Sequence, residues 1–329
     1  MQIYVGTDIS KAHFDSFIEG KKYRFTNDKN GHKSFIEQLP EGAWVVMETT
    51  GTYGMHLAEE LVESGFCVSM VNALQVKRFA QSRAKRAKTD AADAKLLTEY
   101  AQSLEQCNDN RDRLRLWIPD NPSHSFLKQL RTTRELLVKM RTMVSNQIEA
   151  MNGYTKIAPM VSSTLQRLLR VLDMQIDALD EGMNTIVDQH YKNEADNLTS
   201  IPGIAQKTCV TLIACIGNIE RFESAKALVA FSGLSPGVIE SGTSVRGRGS
   251  LCKNGTAAIR SQLFMCALSA SRWNKPCKEL YKRLIAKGKS KISALVAIAH
   301  KLIRQIFAVL KYSVPFQEEY SKTKISVVS

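Results

Sequence analysis

Four carboxylates are spaced as metal-dependent phosphodiester chemistry would need them. Asp8 ends a short β-branched run, Ile3 to Val5 followed by Gly6-Thr7-Asp8, and Glu48 ends the continuous apolar run Trp44 to Met47. Asp90 and Asp93 lie in Thr-Asp-Ala-Ala-Asp-Ala-Lys, a segment that reads as the opening of a helix. Their spacing of three puts both on one helical face. With the first and fourth strands as neighbours, Asp8 and Glu48 stand side by side at the carboxyl ends of the sheet, where α/β folds build sites. Four such groups repel one another unless they hold cations, and hard oxygen ligands suit Mg²⁺ or Mn²⁺. A two-metal site activates the attacking oxygen and stabilises the leaving one in phosphodiester cleavage. Taken singly, the same residues have structural uses, Asp90 as a helix N-cap and Asp8 as a turn residue.

Lys77, Arg78, Arg83, Lys85, Arg86, Lys88 and Lys95 set seven positive charges around the paired aspartates. A solvated basic helix has the same look, but such flanks also hold a phosphate backbone in place. The whole chain leans the same way. Its 329 residues carry 45 Lys and Arg against 32 Asp and Glu, a formal charge of +13. That excess favours a polyanionic partner, nucleic acid first and an anionic membrane surface second.

Two further segments can meet phosphates. Ser200-Ile201-Pro202-Gly203-Ile204 precedes the apolar stretch Cys209 to Ile216. It reads either as a helix-hairpin-helix element, whose Gly203 turn offers backbone N–H groups to a phosphate, or as a plain helix–helix turn. The second glycine usual in such elements is Ala205 here. The other segment runs Ser241-Gly242-Thr243-Ser244-Val245-Arg246-Gly247-Arg248-Gly249, and from Ser241 to Arg260 there are four basic residues and no acid. Ser244, Arg246, Arg248 and Lys253 suit phosphate contact there. On its own terms the loop reads as a phosphate-binding loop before a nucleophile, because a serine needs a base or a metal to activate it and no His lies near Ser241.

The elements that must position these residues follow from periodicity. Strands are expected at Ile3 to Val5 running on through Gly6-Thr7 to end at Asp8, and at Phe14 to Ile18, Lys22 to Phe25, Trp44 to Met47 and Cys67 to Val71, the first three as an antiparallel meander. Helices are expected at Ser34 to Leu39 and at Met55 to Ser64, stopped by Gly65. Three strands, a helix, then strand–helix–strand is the order of an RNase H-like fold. Farther on, Leu130, Leu137, Val144 and Met151 recur every seven residues, as do Leu165, Leu172, Leu179 and Ile186. That predicts two long helices in a coiled-coil-like hairpin broken between Gly153 and Pro159, serving as spacer, dimerisation arm or both. Gly233 to Gly255 reads as irregular, and Thr256 to Trp273, Cys277 to Lys287 and Lys291 to Lys311 as helices. The expected domains are 1–110, an α/β RNase H-like domain; 111–192, coiled-coil or linker helices; and 193–329, a mainly α domain with the hairpin element and the serine loop.

Seven cysteines, an odd number without a CxxC pair, indicate neither a disulfide framework nor a zinc site. With no signal peptide at the N-terminus, the expectation is a cytoplasmic protein without a membrane partner.

Taken in order, Gly-Thr-Asp-Ile-Ser-Lys, Met-Glu-Thr-Thr-Gly-Thr-Tyr, Lys-Thr-Asp-Ala-Ala-Asp-Ala, Ser-Ile-Pro-Gly-Ile, Phe-Ser-Gly-Leu-Ser-Pro and Glu-Ser-Gly-Thr-Ser-Val-Arg-Gly resemble the DEDD-type insertion-sequence transposases. These are relatives of the Piv DNA invertase, and some are bridge-RNA-guided recombinases. The resemblance runs over nearly the whole chain, its motifs are specific jointly, and it implies a RuvC-like catalytic domain at 1–110, a helical coiled-coil region at 111–192 and a mainly α C-terminal transposase domain at 193–329. It implies that Asp8, Glu48, Asp90 and Asp93 bind metal, Mg²⁺ or Mn²⁺, and that Ser241 is the nucleophile of a covalent phosphoserine–DNA intermediate. It further implies donor and target DNA as substrates, a non-coding bridge RNA as guide, and a dimer or tetramer whose subunits share a composite site. Lys85, Arg86, Lys88, Gly203, Ser244, Arg246, Arg248 and Lys253 are the expected nucleic-acid contacts. The competing readings are a RuvC-like nuclease using metal-activated water, a sugar-kinase or actin-like ATPase, and a nucleic-acid-binding protein without catalysis.

Overall fold

The computed structural model of the chain describes residues 2–48, 51–83, 90–106, 114–235, 240–241, 245–246 and 255–318, with backbone alone at 90–92, 240–241 and 245–246. It divides into two compact units, Met1–Pro119 and Asp120–Ser329.

The first unit is built on strands β1 (Tyr4–Ile9), β2 (His13–Ile18), β3 (Lys21–Thr26), β4 (Trp44–Glu48) and β5 (Cys67–Val71). Helices α1 (Lys29–Gln38), α2 (Met55–Glu63), α3 (Ala73–Ser82) and α4 (Asp90–Gln106) complete it. The sheet order is β3-β2-β1-β4-β5. The first three strands form the expected antiparallel meander, while β4 lies parallel to both β1 and β5. This mixed sheet is compatible with an RNase H-like domain.

Alternation along β1 sorts its side chains to two faces. Val5 and Ile9 join Phe14, Phe25, Phe35, Val45, Met47, Leu57 and Leu61 in a core covered by α1 and α2. Tyr4 joins Val46, Val71, Val76, Leu97 and Tyr100 in a second core under α3 and α4. β1 runs through Gly6, Thr7 and Asp8, which pair with β2 as strand residues, and ends one residue later at Ile9. One expectation is corrected here: α1 begins five residues before Ser34, because the Asp28 carboxylate accepts the Gly31 N–H at 2.9 Å and caps the helix there.

The second unit is helical: α5 (Pro122–Met151), α6 (Pro159–His190), α7 (Lys192–Thr199), α8 (Gln206–Ile216) and α9 (Ala225–Ser232). After the two-residue strands β6 (Glu240–Ser241) and β7 (Val245–Arg246) come α10 (Ala257–Trp273), α11 (Lys275–Ala286) and α12 (Lys291–Lys311). The β6–β7 ladder corrects the reading of 233–255 as wholly irregular.

α5 and α6 break between Met151 and Pro159 and pack on each other. Arg134 pairs with Asp180 and Arg141 with Asp173, so seven residues forward on one helix match seven backward on the other: an antiparallel hairpin. Leu127, Met183 and Val187, at its base, belong to the same core as α8, α10 and α12. α12 is long and apolar enough to cross a membrane by length and composition, yet half of its most apolar stretch is buried in this core.

Candidate active site

The β1–β4 register pairs Thr7 with Met47. Carried one residue further, it sets Asp8 beside Glu48 at the carboxyl edge of the sheet. Tyr4 and Gly6 face α4, so Asp8, two residues on, faces it too. Glu48 shares a face with Val46 by the same alternation.

Gly6 is what lets α4 lie there. A Cβ at this position would strike the Ala94 carbonyl oxygen and come within 2.6 Å of the Thr98 nitrogen and 2.8 Å of the Leu97 Cβ. The Gly6 N–H donates to the buried Thr98 hydroxyl at 2.8 Å, tying strand and helix together. At the other end of the contact, Tyr4 meets Glu105; burial first and that carboxylate second push its phenol up. Moving from Tyr4 to Asp8 along the strand therefore means moving from Glu105 back toward the start of α4. The N-terminal part of α4, which carries Asp93, therefore lies toward the Asp8 end of that strand.

Helix α4 begins at Asp90, as its sequence predicts. The side chain of Asp90 lies outside the described residues, whereas Asp8, Glu48 and Asp93 are half-buried and each already has an interaction partner. Among the described residues no three His, Cys, Asp or Glu side chains are already set around one point. The donor chemistry of Asp8 and Glu48, neighbours by the β1–β4 register, fits a hard divalent cation, since both are carboxylates.

The basic flank is partly visible. Lys77 and Arg78 are exposed on α3. Arg83 pairs with Glu99 at 3.4 Å and caps the Phe79 ring, and exposed Lys95 sits 5.8 Å from the Phe17 ring centre. Lys85, Arg86 and Lys88 lie outside the described residues.

In the second unit the backbones of Glu240 and Ser241 pair with Arg246 and Val245. Ser241 thus ends the first of these two short strands. Ser244, Arg248 and Lys253 lie outside the described residues. Gly203 has φ +108° and packs directly on Ala270 of α10, where a Cβ would come within 2.9 Å of the Ala270 nitrogen. Glycine is required there by both conformation and approach.

These two regions coincide with two family matches. Residues 5–151 match a DEDD transposase family of the IS110 type. Residues 195–282 match the family described as Transposase IS116/IS110/IS902. The chain is 30% identical to a pilin gene-inverting protein of Moraxella bovis over 332 residues, 96% of this chain and 98% of that one. It belongs to the IS110 family of DEDD transposases. Another pilin gene-inverting protein, from Moraxella lacunata, is 31% identical over 337 residues, again 96% of this chain and 98% of that protein. The transposase for insertion sequence element IS1111A of Coxiella burnetii is 24% identical over 338 residues, covering 93% and 89% of the two chains. As an IS110-family member, the chain is a DNA transposase or recombinase, and the DEDD domain carries a dependence on divalent metal.

The sequence reading does not single out Gly6 and Thr98, although their contact seats α4 on β1. An isolated glycine within a strand run is itself a sign of close backbone approach, and Gly6 is such a residue.

Proposed function

We propose that this IS110-family member cuts and exchanges DNA strands through a covalent phosphoserine intermediate, using its acidic RuvC-like domain together with its serine loop. The observation that carries the reading is the docking of α4 on Gly6, which supports a meeting of Asp8, Glu48, Asp90 and Asp93 at one sheet edge. Those four carboxylates would hold Mg²⁺ or Mn²⁺; when bound, the ions polarise the scissile phosphate and favour loss of the serine proton.

The rest is done by the chain's own residues. The Ser241 oxygen attacks the phosphorus, forming a serine–phosphate ester. The bond to the departing sugar oxygen breaks, and that oxygen leaves as a hydroxyl after taking up a proton. A hydroxyl of a second strand then displaces the serine, which regains its proton. No high-energy cofactor is consumed, because one phosphodiester is exchanged for another. Arg246, Arg248 and Lys253 neutralise phosphates around the ester, with Ser244 and Gly203 as further backbone contacts; Lys85, Arg86 and Lys88 do the same beside the acids.

The division into 1–110, 111–192 and 193–329 belongs to this proposal. So does use of the α5–α6 hairpin as a coiled-coil arm joining subunits, so that the acids of one work with the serine of another. A non-coding bridge RNA would choose donor and target; this rests on family likeness alone. Two relatives are named for inverting a pilin gene, and inversion requires the same exchange of strands as insertion.

The test is a denaturing gel of wild type and Ser241→Ala, each with flanking DNA and Mg²⁺. An SDS-resistant protein–DNA adduct lost in the variant is the expected result. Equal cleavage in both without an adduct would replace this mechanism by hydrolysis with metal-activated water.

A further inference from the structure

The strongest unassigned feature of the second unit is the outward side of α11. From Lys275 to Lys291 the sequence holds seven cations, Lys275, Lys278, Lys282, Arg283, Lys287, Lys289 and Lys291, against a single acid, Glu279. That short stretch supplies nearly half of the chain's net charge of +13. All seven are exposed. Except for Lys275, none of them forms an ion pair among the described residues.

Their arrangement follows from helix geometry. Lys275, Lys278 and Lys282 are spaced three and four apart, so they form one stripe. The opposite side carries Cys277, which is fully buried, with Leu280 and Tyr281 packed against the core. The stripe begins at a fixed corner. Buried Asn274 ends α10 and caps α11, accepting the Cys277 N–H at 3.2 Å and donating to Gln305 at 3.1 Å. Just before that corner stands Trp273, 73% exposed.

We propose that Trp273, the lysine stripe of α11 and the turn leading to α12 form a nucleic-acid docking surface outside the proposed cleavage site. It grips successive phosphates without reading sequence and stacks one unpaired base on the indole. Exposed cations such as Lys278, Lys282 and Lys289, which form no ion pair among the described residues, release counterions from a phosphate backbone, and an exposed aromatic ring beside such a track is a platform for a splayed base. A lipid surface fits less well, because α11 commits its apolar side to the core instead of keeping it for insertion. DNA and RNA present the same phosphates and rings, so both are probed.

The proposal rests on the reading of this chain as a nucleic-acid enzyme. Its test measures binding of full-length protein to labelled single-stranded DNA, single-stranded RNA and duplex DNA of mixed sequence across a salt series. The variants are Lys278→Gln/Lys282→Gln/Lys289→Gln and a control, Lys21→Gln/Lys22→Gln/Lys29→Gln, at exposed positions of the first unit. The α11 variant is expected to lower the slope of log K against log salt by about 2 and to weaken single-strand binding about 100-fold at 0.1 M salt. The control should stay near wild type, and melting temperatures should match throughout. Trp273→Ala should lose about tenfold for single strands and little for duplex. Equal slopes in the two triple variants would overturn the proposal, as would loss of binding to anionic phosphatidylserine vesicles with nucleic-acid binding intact. Adduct formation is scored with the same protein preparations on flanking DNA with Mg²⁺. Wild-type binding that depends on α11 but yields no adduct would sink the catalytic mechanism and leave the docking surface standing.

Discussion

Gly6→Ala isolates the close approach that seats α4. Gly6 is not among the residues with positive φ, so alanine has no backbone objection and would by itself gain about 0.4–1 kcal/mol from a stiffer unfolded chain. The obstacle is steric. The new methyl would stand 2.6 Å from the Thr98 nitrogen, where ordinary contact begins at 3.4 Å, so helix and strand must part by about 0.8 Å. A shift of that size stretches the Thr98–Gly6 hydrogen bond from 2.8 Å to roughly 3.6 Å, beyond useful range. Overpacking costs about 1–3 kcal/mol, which leaves a net loss of roughly 1–2 kcal/mol and a melting temperature lower by about 4–8 °C. Asp93 moves with its helix, and a displacement near 1 Å in a catalytic array costs about 100-fold in rate. Calorimetry and a time course of strand cleavage measure the two effects. A Gly6→Ala protein with unchanged melting temperature and wild-type cleavage would refute the assignment of Gly6 as the seat of the helix.

Asp8→Asn and Glu48→Gln should each retain the fold and lose more cleavage than the ~10- to 100-fold typical of outer-sphere partners of a metal, read by the same time course; cleavage within tenfold of wild type would remove that residue from the site. In the second unit, burial would raise the Asp120 carboxyl, but the hydrogen bonds from His124 at 2.8 Å and Lys128 at 2.5 Å, with their charges, outweigh it and hold the group well below the usual carboxylate range. A depressed folded-state value contributes stability above the unfolded value near ~3.9 and loses it as pH falls through that value toward the folded one. The melting temperature of wild type should therefore drop more steeply below pH ~4 than that of Asp120→Asn, and parallel curves would contradict this. Burial pushes the Cys209 thiol up to about 12 and that of Cys277 to about 11, and raises Cys215 and Cys266. Native protein at pH ~8 treated with iodoacetamide should be modified at exposed Cys67 and spared at these four, as judged by peptide mass spectrometry. Equal labelling would mean that the second unit opens readily.

Strands with strong β-branched or apolar runs, such as Trp44 to Met47, are readable because burial leaves a continuous signature. The long helices are readable because a seven-residue stripe admits few other structures. The boundaries are harder. α1 opens on the polar residues Lys29, Asn30 and Gly31, which carry no periodicity; its start is fixed by the Asp28 cap. The β6–β7 ladder is two residues long, too short for any alternation to register. The acids at strand ends were legible as a pattern. The contact that assembles them was not, because it joins residues 92 apart through a missing side chain and one hydroxyl.

That separation has a consequence for synthesis. The sheet strands that carry Asp8 and Glu48 are complete by residue 71, but the helix that supplies the remaining two acids is seated only when Thr98 reaches Gly6. Until then the closure entropy of α4 is unmet and Asp93 stays away from the strand of Asp8. A nascent or prematurely terminated chain ending before α4 would hold the sheet strands without the helix that covers Gly6. Under the proposed mechanism strand cleavage needs both α4 and Ser241, so the order of translation delays it until the second unit is made.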